Sequence, residues 1–296
     1  MGLASASIEE LALAELPIEG LWTSGWKRLK RNRAAMVGLC VVVVLISSAL
    51  LAPIIAPYDP TAQNYGESFE GISVRHLMGT DQLGRDLFTR MLYGARVSLS
   101  VGVIVQVIVL LIGVPVGLAA GFYGGWIDNL LMRFTDIMYA FPDLLFIIII
   151  TTWLGRGIDK IFIALGIVIW VDMARLVRGQ VLSLREKEYV DAARALGVPT
   201  RSIMIRHLFP NALGPVIVAV TLGIPRAIIA ESSLSFIGIG LTPPTASWGT
   251  LIQDGYSQIF AVAHPVLFPA LAIAITMLSF TFLGDGLRDA LDPRMR

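Results

Sequence analysis

Arg226 and Glu231 are charged residues set in a long apolar run, where a charge needs a partner or a task. Placing arginine near mid-bilayer costs about 2.5–3.5 kcal/mol on insertion scales. Arg226 is therefore expected either to snorkel to the outer surface or to line a wet path and face an anionic group of a passing solute. Glu231 lies five residues on, about 140° around a regular helix, so the two do not pair without distortion near Pro225. Asp136 and Asp143, seven apart in another apolar run, are expected on one face of a helix. Asp143 follows Pro142, whose missing N–H disturbs the local helix. It is expected to satisfy freed backbone groups, to pair with a neighbouring helix, or to line a wet path through the bundle.

Catalytic chemistry finds little support. Two carboxylates on one helix do not make an intramembrane aspartate pair, which is expected from facing helices. The Gly20–Lys27 stretch lacks the Gly-Lys-Ser/Thr end of a P-loop, so no nucleotide site is expected. There is no His-Glu-x-x-His motif, and His76, His207 and His264 are scattered. The single cysteine, Cys40, lies in an apolar run, which rules out an internal disulfide and argues against metal ligation. No catalytic, cofactor or metal residue is expected on this chain.

The elements that must position these charges are membrane helices. The 296 residues are 55% hydrophobic and only 15% charged, against about 25% charged in an average soluble domain. Long apolar runs point to an all-α membrane protein rather than an alternating barrel. Six spans are expected, near residues 34–51, 97–123, 130–154, 161–173, from 208 past Pro215, Gly223 and Pro225 as a broken helix, and 262–283. Residues 1–33 read as a soluble tail, 34–97 as the first span with an external segment, and 98–296 as the core. Gly113, Gly117 and Gly121, four apart, form a packing face for a second helix. With both termini inside, the Lys and Arg residues divide as 16 inside and 6 outside, with Arg226 within a span. The excess of basic residues in cytoplasmic loops fixes that orientation.

Between the fourth and fifth spans lies a basic insert, about residues 175–207, with seven basic and three acidic residues. Tyr189, Ala192, Ala193 and Leu196 fall at helical spacing as a narrow apolar stripe, and Gly197-Val198-Pro199 ends the helix. A second short helix is expected over about 202–209. On residue chemistry alone the insert suits anionic lipid or a docked protein equally. At the cytoplasmic end of the fourth span, Asp172, Arg175 and Arg178 are expected to be solvated. Outside, Asp81, Arg85, Asp86 and Arg90 suit one face of a short surface helix, with Asp81 and Arg85 placed to pair.

The insert resembles the Glu-Ala-Ala ("EAA") cytoplasmic loop of bacterial ABC importer permeases, with Asp191-Ala192-Ala193, then Gly197, and Pro210 further on. Asp191 stands where that family usually has Glu. The runs Gly79–Asp86, Tyr93–Ser100, Leu234–Gly240, Pro243-Pro244, Ser247-Trp248-Gly249 and Gly284–Pro293 resemble the second permease subunit of peptide, nickel and glutathione importers. The resemblance implies six helices of the importer permease fold with cytoplasmic ends, in the bacterial inner membrane. It implies an ATPase-docking loop made of Glu188, Tyr189, Asp191, Ala192, Ala193, Gly197, Arg201 and Pro210. Asp143, Arg226 and Glu231 are then candidates for the translocation path, and Asp81, Arg85 and Asp86 for a periplasmic gate scaffold. Implied partners are a homologous second permease, two cytoplasmic ATPases that hold ATP and Mg²⁺, an external binding protein and membrane lipid, with no nucleic acid. A secondary transporter or an intramembrane enzyme stands as the alternative.

Overall fold

Asn32 separates the first two helices of a computed structural model that describes residues 21–291. Expectations for residues 1–20 and 292–296 lie outside the described residues. Helix α1 (Leu21–Arg31) and α2 (Arg33–Leu50) meet at Asn32, whose side chain accepts the Ala35 N–H at 3.1 Å and caps α2. Residues 21–31 fall within the stretch read as a soluble tail. They form a basic helix laid against the C-terminal helix.

After an irregular segment comes α3 (Leu87–Tyr123), a 37-residue helix started by Asp86, which accepts the Thr89 N–H. The helix begins ten residues before the expected second span, so the boundary placed at residue 97 falls inside it. Next are α4 (Gly125–Tyr139) and α5 (Asp143–Leu154), bent by 87° across the break between them. The single third span expected here is thus two helices. Pro142 lacks an N–H and disfavours helical backbone at Phe141, which accounts for the break.

Helix α6 (Ile158–Leu184) runs well beyond the expected fourth span. The insert holds α7 (Glu188–Ala195), a turn at Thr200–Ser202 and a π-helical stretch over Ile203–Leu208. Helix α8 (Phe209–Ile237) is continuous, not broken, through Pro215, Gly223 and Pro225. Neighbouring helices support such prolines inside a membrane bundle, and α8 packs against α3, α6 and the last helix. The following loop contains α9 (Trp248–Tyr256), and α10 (His264–Leu291) closes the described chain.

Among the described residues, α2, α3, α10 and the 200–237 stretch are long and apolar enough to cross a membrane, and the bent α4–α5 pair offers a fifth crossing. Helix α6 is long enough, but Asp172, Arg175 and Arg178 interrupt its apolar character.

The broadest interface joins α3 to α6. A Cβ on Gly113 would come within 2.8 Å of the Trp170 carbonyl, and one on Gly117 within 2.5 Å of the Ala174 carbonyl. At Gly121 it would meet Val181 at 2.8 Å. The expected packing face is therefore present, and α6 is what it packs on. Around this contact Val105, Val109, Leu165, Val171 and Val177 form the main buried cluster.

Candidate functional site

Polar assemblies stand out in the middle of the bundle and at one end, and an exposed short helix at the other. In the middle, Arg226 of α8 donates to Asp172 of α6 at 2.6 Å and to Asp143, the first residue of α5, at 2.9 Å. Asp172 was expected to be solvated; instead it completes this triad. All three side chains are roughly half exposed, at 52% for Arg226, 43% for Asp172 and 45% for Asp143. Asp172 sits mid-helix in α6, and Arg226 lies well inside α8. Ionic groups within membrane helices are costly and pair with one another, as these three do. One helical turn away, Leu176 and Leu222 line an open cleft of about 560 Å³ between α6, α8 and the end of α10. The break before α5 is what brings Asp143 to the triad and separates it from Asp136, so the one-face arrangement of the two aspartates does not form.

Two further ion pairs clip α4 onto α6. Arg178 grips Asp128 through two contacts of 2.6 Å, and Arg175 reaches Asp136 at 2.7 Å while lying over the Tyr139 ring. These arginines are structural partners rather than free surface charges. Sequence offered a signal for them only in their position at the charged end of an apolar run.

Glu231 does not share the exposed face. It is fully buried and accepts hydrogen bonds from the Ser235 and Ser247 hydroxyls, each at 2.7 Å. Ser247 in turn caps α9 by accepting the Thr250 N–H. Glu231 thereby ties α8 to α9 in this conformation, and Ser247 and Ser235 are partners that spacing did not reveal.

At one end of the bundle, residues 80–86 form a tight turn closed by a bridge between Thr80 and Asp86, not the surface helix expected there. The expected Asp81–Arg85 pair is present at 2.7 Å. Arg90 also reaches Asp81, at 2.6 Å, and both arginines contact Asp254 of α9, at 3.0 and 3.3 Å. Asp81, Arg85, Asp86 and Arg90 are all buried. Burial pushes the Asp254 carboxyl up to about 6; Arg85 opposes the shift and the nearby Asp81 charge adds to it. This network locks the segment between α2 and α3, the start of α3 and α9 together.

At the other end, α7 ends in a Schellman motif. Gly197 has φ +72°, its N–H bonds to the Arg194 carbonyl, and Val198 bonds back to Ala193 at 3.0 Å. Glycine tolerates this left-handed backbone without a Cβ clash. The expected apolar stripe divides: Ala193 and its neighbour Val190 are buried against the bundle, whereas Tyr189, Ala192 and Leu196 are exposed. Glu188, Asp191, Gly197, Arg201 and Pro210 are exposed as well. Leu196 is 83% exposed, on a surface that also carries Tyr189.

Residues 113–296 match the family model described as binding-protein-dependent transport system inner membrane component. Residues 20–71 match the N-terminal transmembrane domain of oligopeptide transport permease C. The chain is 44% identical to an oligopeptide transport system permease protein of Bacillus subtilis, over 93% of this chain and 90% of that one. It is 45% identical to a dipeptide transport system permease protein of the same organism, over 92% and 85% of the two chains. It is 42% identical to a glutathione transport system permease protein of Escherichia coli, over 93% and 91%. Among solved structures, an inward-facing methionine ABC transporter matches with a TM-score of 0.53 at 18% identity, covering 70% of this chain and 98% of that one.

Proposed function

The chain belongs to the family of binding-protein-dependent transport system inner membrane components, and from that membership we propose that it is a permease subunit of an ATP-driven importer for peptides or a related small solute. Glutathione and a nickel chelate fall within the same solute class. The observation that carries this reading is near full-length similarity, at 42–45% identity, to peptide and glutathione permeases. It is a multi-pass inner-membrane transport subunit and not an enzyme.

In this reading α2, α3, the broken α4–α5 pair, α6, α8 and α10 make six crossings, with both termini cytoplasmic. The Lys and Arg distribution supports that orientation. A homologous second permease supplies the other half of the path, two cytoplasmic ATPases bind ATP and Mg²⁺, and an external binding protein delivers the solute. The exposed Tyr189, Ala192 and Leu196, flanked by Glu188, Asp191 and Arg201, dock on an ATPase. Gly197 fixes their angle, and Pro210, which has no N–H to bond back to the preceding turn, sits where the π-helical stretch passes into α8. Movement of the docked loop reaches α8 directly through the π-helical stretch.

The cleft beside α6 and α8, with the Arg226–Asp143–Asp172 triad one turn beyond it, forms this subunit's share of the path. Asp81, Arg85 and Asp86 brace the external end, where α9 joins them. Glu231 belongs to that bracing and not to the path.

Reconstitution of the complex with its ATPases and binding protein tests the proposal. ATP-dependent uptake of a labelled peptide is expected, with no uptake when the ATPases cannot hydrolyse ATP. Uptake driven by an ion gradient without the ATPases would overturn it.

A further inference from the structure

We propose that Glu67, Glu70 and His76, on the segment between α2 and α3, form a zinc-binding site. One ligand atom from each residue lies within 4.8 Å of the others. None of the three takes part in the path, the coupling loop or the Asp81–Asp254 network.

His76 carries the inference. It is 5% exposed, and its Nδ1 faces the Asp86 carboxylate at 2.8 Å. A carboxylate accepting the Nδ1–H fixes the tautomer that leaves Nε2 with a free lone pair, the arrangement in which imidazole binds a metal. Nε2 points to Glu67 at 3.6 Å and makes no hydrogen bond among the described residues. That separation is too long for a hydrogen bond. It is close to the spacing of about 3.4 Å between two ligands of one tetrahedral zinc ion with bonds of about 2.1 Å.

Glu67 is half-buried and Glu70 exposed, so the third ligand and an open position face the external water. The backbone holds the ligands in place. Glu70 donates its N–H to the Thr80 hydroxyl at 2.8 Å, Thr80 Oγ1 donates to the Glu67 carbonyl, and the His76 N–H bonds to Ser73 Oγ at 3.0 Å. One imidazole and two carboxylates suit zinc better than magnesium, which prefers oxygen ligands and several waters. Asp86 also caps α3 through the Thr89 N–H at 2.7 Å. A bound ion would therefore join the external segment to the start of α3 through His76 and Asp86.

The test uses the purified complex with any affinity tag cleaved and prior chelator treatment, titrated with zinc chloride by calorimetry and checked by elemental analysis. About one equivalent per chain is expected, with H76Q abolishing it and D86N weakening it about 10- to 100-fold. Because His76 is buried, the E67Q/E70Q double variant provides a second arm: it changes only partly exposed side chains and is expected to lose zinc with unchanged thermal unfolding in chelator. Magnesium chloride in excess should not compete. Wild-type protein that takes up no zinc, or that binds it as tightly as H76Q, would overturn the site and leave His76 as a buried ring set between two carboxylates.

Discussion

Arg226 is outnumbered by its two carboxylates, so the exposed triad is acidic on balance. Such a face favours an ammonium group of a solute over a carboxylate, the reverse of what an isolated Arg226 implies. With the complex reconstituted and its binding protein saturated, R226Q is expected to raise uptake of lysine-containing peptides several-fold relative to glutamate-containing ones. D172N is expected to shift the ratio the other way. Half-exposed pairs in a wet setting contribute about 1 kcal/mol or less, so both variants should insert and assemble normally. An unchanged ratio in both would take the triad out of the path.

Asp254 makes a second prediction at the same scale. Its folded-state pKa, about 6, lies above the ordinary value of 3.8, so the folded protein holds the proton more tightly than the unfolded one. Stability from this group is present at low pH and is lost as pH rises through about 6. The difference in melting temperature between wild type and D254N should therefore vary between pH 5 and 7, favouring wild type more at pH 5. A difference independent of pH over that range would contradict the assignment.

At the scale of elements, the α3–α6 contact depends on backbones lying close together. G117V would drive two methyl groups against the Ala174 carbonyl and Val177, where even a Cβ is too near. Overpacking of this kind typically costs about 1–3 kcal/mol. Reduced thermal stability and lower yield in detergent are expected, whereas G125A, with open space around it, should cost less despite its positive φ. The α4–α5 break shows how an element boundary can decide chemistry. A straight span would have left Asp136 and Asp143 stacked on one face; the bend sends Asp143 to Arg226 and leaves Asp136 to Arg175.

For the whole molecule, the decisive question is how work done on ATPases reaches α8. Ala193 is 7% exposed and packed inward, so an arginine there would damage the bundle and say little about docking. Leu196 gives the cleaner experiment. L196R should leave insertion and assembly intact while cutting ATP-dependent uptake at least tenfold, and G197P, which replaces a φ of +72° by one near −65°, should also uncouple. Uptake at wild-type levels in L196R, measured beside copurification of the ATPases, would show that this surface does not transmit the stroke.

The apolar runs, the basic insert, the small-residue face on α3 and the family were legible in the sequence because each depends on local composition or on contiguous motifs. Hydropathy also located most helices, although the continuity of α8 through two prolines depended on support from neighbouring helices. Partner identity was another matter. Asp172 and Arg226 are 54 residues apart, Arg85 and Asp254 are 169 apart, and Glu231 finds Ser247 across a loop. A buried or membrane-embedded charge announces that it needs a partner, since desolvation is costly wherever it sits. Which partner it takes depends on helix bends and packing angles, and these exist only once the bundle has assembled.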